Sequence, residues 1–207
     1  MPNLNLSQFN VFIGETGAID CYPGRLIAST FLYDLPNLDL RGLDRKIDRA
    51  IDGLDLDREA KVTEVLRAIG FDPKILEKDY RKNRAERLAC LYFSVVVSDF
   101  LPQIIGFKDF GLYSDPRLGR KITQELIELA KTYDKAIFLS TQNVGCLDGL
   151  DLDDDFQRLF VVSYDPVEGI PIAYRKTSTK LLKERQHPIS LSEAYIKGYF
   201  GGLSKKF

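Results

Sequence analysis

The chain has 207 residues, 44% of them hydrophobic, with 29 basic and 30 acidic side chains for a formal net charge of −1. That is the composition of one well-buried globular domain, expected to span residues 1–207. The near-zero charge excludes a global attraction to nucleic acid or to an anionic membrane, so either contact would need a local basic patch.

In chain order, residues 9–13 have the character of a buried strand and lead into a loop at 14–22. The loop, within Phe12-Ile13-Gly14-Glu15-Thr16-Gly17-Ala18-Ile19-Asp20-Cys21, has the outline of a phosphate-binding turn. Such a turn reads Gly-x-x-x-x-Gly-Lys-Ser/Thr, because small residues let backbone N–H groups curl around phosphates while the lysine neutralises them. Here Gly14 supplies the first glycine, Ile19 replaces the second, Asp20 stands for the lysine and Cys21 for the hydroxyl. A carboxylate in place of an ammonium about 4 Å from a phosphate exchanges attraction for repulsion, each about 4 kcal/mol before solvent relaxation at a dielectric near 20.

Proline near a helix start costs no hydrogen bond, so a helix is expected from Pro23 to Asp34. Helical periods follow at 43–51 and at 57–69, the second stopped by Gly70. A long apolar helix is predicted at 85–98, a strand at 103–107, an amphipathic helix at 116–133 and a buried strand at 136–140. Residues 159–164 and 170–174 read as a hairpin around the turn at 165–169. Strands alternating with helices imply a layered α/β sheet. The most apolar stretch, 88–105, is broken by Ser94, Ser98, Asp99, Pro102 and Gln103, so it reads as a buried helix leading to a strand and not as a membrane span.

Cys21, Cys90 and Cys146 are odd in number and widely spaced, against a disulfide framework or zinc site, and a reducing cytoplasm is expected. The first residues lack a basic segment followed by an apolar one, so no secretory signal is expected. His187 is the only histidine, which removes histidine-clustered metal sites and most Ser-His-Asp arrangements; it is expected to be solvated. The hexapeptides Asp52-Gly53-Leu54-Asp55-Leu56-Asp57 and Asp148-Gly149-Leu150-Asp151-Leu152-Asp153 are identical, but their flanks differ and neither is a calcium loop. They read as turns and caps, as does Asp153-Asp154-Asp155. Cys21 reads as structural in preference to nucleophilic.

The order of elements, with Ile104-Ile105-Gly106-Phe107-Lys108-Asp109, then Tyr113-Ser114-Asp115-Pro116-Arg117-Leu118, then Phe138-Leu139-Ser140-Thr141-Gln142-Asn143, resembles the RecF/SMC-like branch of ABC-type ATPases, within the AAA family. The resemblance covers nearly the whole chain. It implies an α/β, layered P-loop NTPase sheet flanked by helices, with a shortened helical insert at about 36–85. It also implies that the metal-organising aspartate corresponds to Lys108, the water-activating glutamate to Asp109 and the γ-phosphate-sensing histidine to Gln142. The phosphate-loop equivalents are Gly14, Glu15, Thr16, Gly17, Asp20 and Cys21, and no serine-glycine signature stands at Lys82–Arg87. Losing these groups together leaves little for phosphoryl transfer.

The expectation is a catalytically inactive homologue, a pseudoenzyme acting as an interaction or regulatory subunit, with no cofactor. One alternative is an atypical ATPase of DNA repair or phage defence that binds ATP with Mg. Another is a nucleic-acid-binding module using the basic run 78–87, which net charge does not support, and a third is an unrelated α/β fold. The partner, a different protein or a second copy, is expected on the ABC-type dimer face through Arg81, Arg84, Arg87, Ser114 and Asp115; no membrane is involved.

Overall fold

The computed structural model describes residues 8–14, 31–34, 40–164, 167–168, 171–176 and 188–200. Among these residues six strands form one sheet: β1 (Phe9–Gly14), β2 (Phe31–Asp34), β3 (Ile104–Lys108), β4 (Ala136–Thr141), β5 (Gln157–Tyr164) and β6 (Pro171–Lys176). Their order is β2-β3-β4-β1-β5-β6, all neighbours parallel except the antiparallel β5–β6 pair. The helices among the described residues are α1 (Leu40–Asp52), α2 (Leu56–Ile69), α3 (Arg84–Val97), α4 (Pro116–Thr132) and α5 (Leu191–Ile196). This is a layered α/β architecture, a mostly parallel sheet flanked by helices.

Period-two alternation makes β1 central. Phe9, Val11 and Ile13 join the main core with side chains from α1 to α4, while Phe12 joins Phe138, Phe160, Val162 and Ala173 in a second cluster. The Phe12 and Phe160 rings stack at 4.8 Å. Helix α3 is buried from Leu88 through Val97 because α1, α2 and α4 all pack against it.

Caps set the helix ends. Asp55 accepts from Arg58 N–H to start α2, and Gly70, at φ 97°, ends it in the left-handed conformation that glycine adopts without a Cβ penalty. Asn83 and Glu86 form a reciprocal capping box on α3. Asp115 accepts from the N–H groups of Arg117 and Leu118 at 2.9 and 3.0 Å, with Pro116 in the first turn of α4.

One predicted element is overturned. Phe31–Asp34 is not the end of a helix but a strand, parallel to β3 with Phe31 opposite Ile105 and Asp34 opposite Lys108. The aromatic run Phe31-Leu32-Tyr33 suits a pleated edge, and pairing with β3 overrides the helical reading. The remainder of that predicted helix, 23–30, lies outside the described residues, as does His187. Among the described residues no helix is long and apolar enough to cross a membrane.

Candidate functional site

The chain leaves β1 toward β2 at one edge of the sheet, whereas the connections from β4 and β5 on either side of it run the other way. The carboxyl end of β1 is therefore a topological switch point, the place where open α/β sheets bind ligands. Gly14 ends β1 so close to β5 that a Cβ there would lie 1.8 Å from the Val162 carbonyl oxygen. Glu15, Thr16, Gly17, Asp20 and Cys21 lie outside the described residues.

At the same edge, hydrogen bonds stitch the loops after β3 and β4 together. Lys108 closes β3, and Asp109 follows at φ 52°, its N–H donating to Ser140 Oγ at 3.2 Å. Phe110 N–H donates to the Ser140 carbonyl at 2.8 Å, and Thr141 Oγ1 donates to the Phe110 carbonyl at 2.7 Å. Asn143 then holds the rest of the loop, donating from Nδ2 to the carbonyls of Gly111 and Ser114, both at 2.9 Å. Its Oδ1 accepts from Gly145 N–H at 3.0 Å and starts the 3-10 turn Val144–Gly149. That turn packs on the start of α4 only because Gly145 has no side chain, since a Cβ would come within 2.4 Å of Pro116 Cα. Below the loop Tyr92 is wedged between Phe107 and Phe110, with ring centroids 4.8 and 4.9 Å away.

Gly14, Lys108, Asp109 and Gln142, far apart in sequence, thus come to one edge, where Gln142 is exposed and Lys108 and Asp109 are half-buried. Sequence reasoning gave no role to Asn143. Its signal is an amide residue immediately before Val-Gly, but its partners are 32 and 29 residues away.

The residues expected at a partner face separate into two groups. Arg84 lies over the Tyr113 ring, 4.5 Å from its centroid, and both line an open groove of about 420 Å³ with Phe71, Asn83, Asp115 and Leu118. Ser114, between the groove residues Tyr113 and Asp115 in sequence, has its carbonyl held by Asn143. Arg81, by contrast, is only 4% exposed, which corrects its reading as a surface contact. Its guanidinium donates to the carbonyls of Ile75 and Leu76 at 2.9 and 2.6 Å and to Asp48 at 2.7 Å, with Asp44 at 3.4 Å. Arg87 is likewise turned inward, donating from Nε to Asp44 at 3.0 Å. Two carboxylates of α1 claim these guanidiniums, and no local window shows that.

Asp154 works as a tie. It accepts from Phe156 N–H and Gln157 Nε2, both at 2.9 Å, and pairs with Lys131 at 3.0 Å. Burial pushes its carboxyl up, but these partners prevail and hold it below the ordinary aspartate value.

Burial raises both described thiols, Cys146 to about 11 and Cys90 to about 12 from an ordinary 9.0. At pH 8 both are neutral and enclosed. Iodoacetamide followed by peptide mapping is expected to leave Cys90 and Cys146 unmodified in the native protein and to label both in urea. For linkage, a raised folded value means that the contribution to stability is intact below pH 9.0 and is lost as pH rises toward 11 and 12.

No family model matches this chain, and no curated protein matches it. Among solved structures it is similar to cbiO1 from Clostridium perfringens, part of the ABC transporter complex cbiONQ, at 14% identity and TM-score 0.49, over 86% of this chain and 80% of that one. It is also similar to a chain in the complex of archaeal ribosomal stalk protein aP1 and archaeal ribosome recycling factor aABCE1, at 12% identity and TM-score 0.49, over 90% of this chain and 43% of that one. Both stand at identities that say nothing about individual side chains.

Proposed function

We propose that this chain is a catalytically inactive homologue of ABC/RecF-like ATPases that serves as an interaction or regulatory subunit in the cytoplasm. One observation carries the reading. The carboxyl edge keeps its frame, through the Ser140, Thr141 and Asn143 hydrogen bonds, while β3 ends in Lys108 and β4 leads to Gln142. These residues do not fit Mg-ATP. An ammonium at the end of β3 repels a metal ion, and Asp20 in the adjacent loop sequence repels the phosphates. The face for a partner, a different protein or a second copy, is the groove between Arg84 and Asp115 beside Ser114.

Isothermal titration with Mg-ATP tests the inactive-site reading. No binding tighter than about millimolar is expected, since a charge reversal of several kcal/mol removes decades of affinity. A micromolar dissociation constant abolished by Gly17→Val would overturn it and favour the atypical ATPase.

A further inference from the structure

Two of the most exposed large apolar side chains in the described residues are Leu56, 84% exposed, and Phe100, 83% exposed. They stand on different turns. Leu56 opens α2 directly after its cap Asp55, and Phe100 lies between α3 and β3.

The fold joins these turns into one surface. The Arg58 guanidinium bonds both Asp55 and Asp99, the residues immediately before Leu56 and Phe100, and its Nε donates to the Val97 carbonyl at 2.9 Å. The Phe100 ring rests over the α1–α2 turn, 3.4 Å from where a Cβ on Gly53 would be. Around the two side chains are the exposed carboxylates of Asp52, Asp55, Asp57, Glu59 and Asp99. Nearby cations do not cancel this rim. Arg58 is committed to two of those carboxylates, Lys135 is buried beneath and donates to the Leu101 carbonyl at 3.0 Å, and the exposed Arg49 in the last turn of α1 adds a third positive charge against five carboxylates, which leaves the rim net acidic.

We propose that the Leu56–Phe100 surface is a docking site for a basic amphipathic segment of another protein, one that offers apolar side chains flanked by lysine or arginine. Charge selects this occupant. A second copy meeting the site about a two-fold axis would set the carboxylates against themselves, and nucleic acid or an anionic membrane would meet the same repulsion. Leu56 and Phe100 are the apolar anchors, and the acidic rim chooses and orients the partner. The surface lies at the amino end of β3, away from the edge that carries Lys108, so it operates whether or not nucleotide binds there.

The probes are three fluorescein-labelled synthetic peptides of equal length, repeating Lys-Leu-Leu-Lys, Glu-Leu-Leu-Glu or Lys-Ser-Ser-Lys, titrated with the full chain and followed by anisotropy. The basic amphipathic peptide is expected to bind saturably, and the other two at least about tenfold more weakly. Leu56→Ser with Phe100→Ser should weaken the first peptide by about tenfold at an unchanged thermal midpoint, since both side chains are already in water. Should that variant fail to fold, Asp52→Lys with Asp57→Lys supplies the same test through the rim. Equal affinity for the acidic peptide, no saturable binding, unchanged affinity in the variants, or co-sedimentation with phosphatidylglycerol vesicles that the variants abolish would each overturn the proposal.

Discussion

Arg81→Ala is expected to lower the unfolding free energy by about 3–5 kcal/mol, the usual cost of breaking a buried ion pair from one side. The guanidinium occupies a pocket formed by α1 and the turn before α3, where it serves two backbone carbonyls and two carboxylates. Without it the Leu76 carbonyl loses the guanidinium, the Ile75 carbonyl is left with the Cys90 thiol at 3.5 Å, and Asp44, whose side chain is almost fully buried, keeps Arg87 among its described ion pairs. Arg84→Ala loses its place over the Tyr113 ring, which costs about 1 kcal/mol or less at a half-exposed site. Urea denaturation of the two variants checks the contrast. Equal midpoints would show that the Arg81 network is dispensable. The contrast also decides how a partner face is tested, because charge reversal at Arg81 would unfold the chain before it reported on any interface.

The second large effect is a gain. Asp20→Lys combined with Cys21→Ser is expected to strengthen Mg-ATP binding by about tenfold or more, because one substitution removes a repulsion and supplies an attraction at the same phosphate. Isothermal titration measures it directly. Phosphate release should stay at background in that variant, since Lys108, Asp109 and Gln142 still replace the metal ligand, base and sensor that the family resemblance calls for. Turnover would show that those three residues are not deficits. No gain in affinity would mean that Ile19 keeps the backbone from the phosphates.

The sequence by itself determined where most elements begin and end, because caps and periods act within a few residues. Gly70 stops α2 as the sequence predicts, and the helices expected from 85 and 116 begin at Arg84 and Pro116, behind the caps Asn83 and Asp115 that the structure shows. The buried-strand character of residues 9–13 likewise matches β1, and the structure adds that both of its faces are packed. Tertiary structure decided what depends on partners distant in the chain. Phe31–Asp34 became a strand because β3 was there to pair with it, and Arg81 went inside because Asp44 and Asp48 met it from α1. The edge that gathers Gly14, Lys108 and Gln142 exists only once β4 has inserted between β3 and β1. The repeated hexapeptide isolates the principle: Leu150 and Leu152 are buried beside the 3-10 turn while Leu56, in the same six letters, stands in solvent. Local chemistry fixes a turn and its cap, but burial is a property of what the rest of the chain places against it.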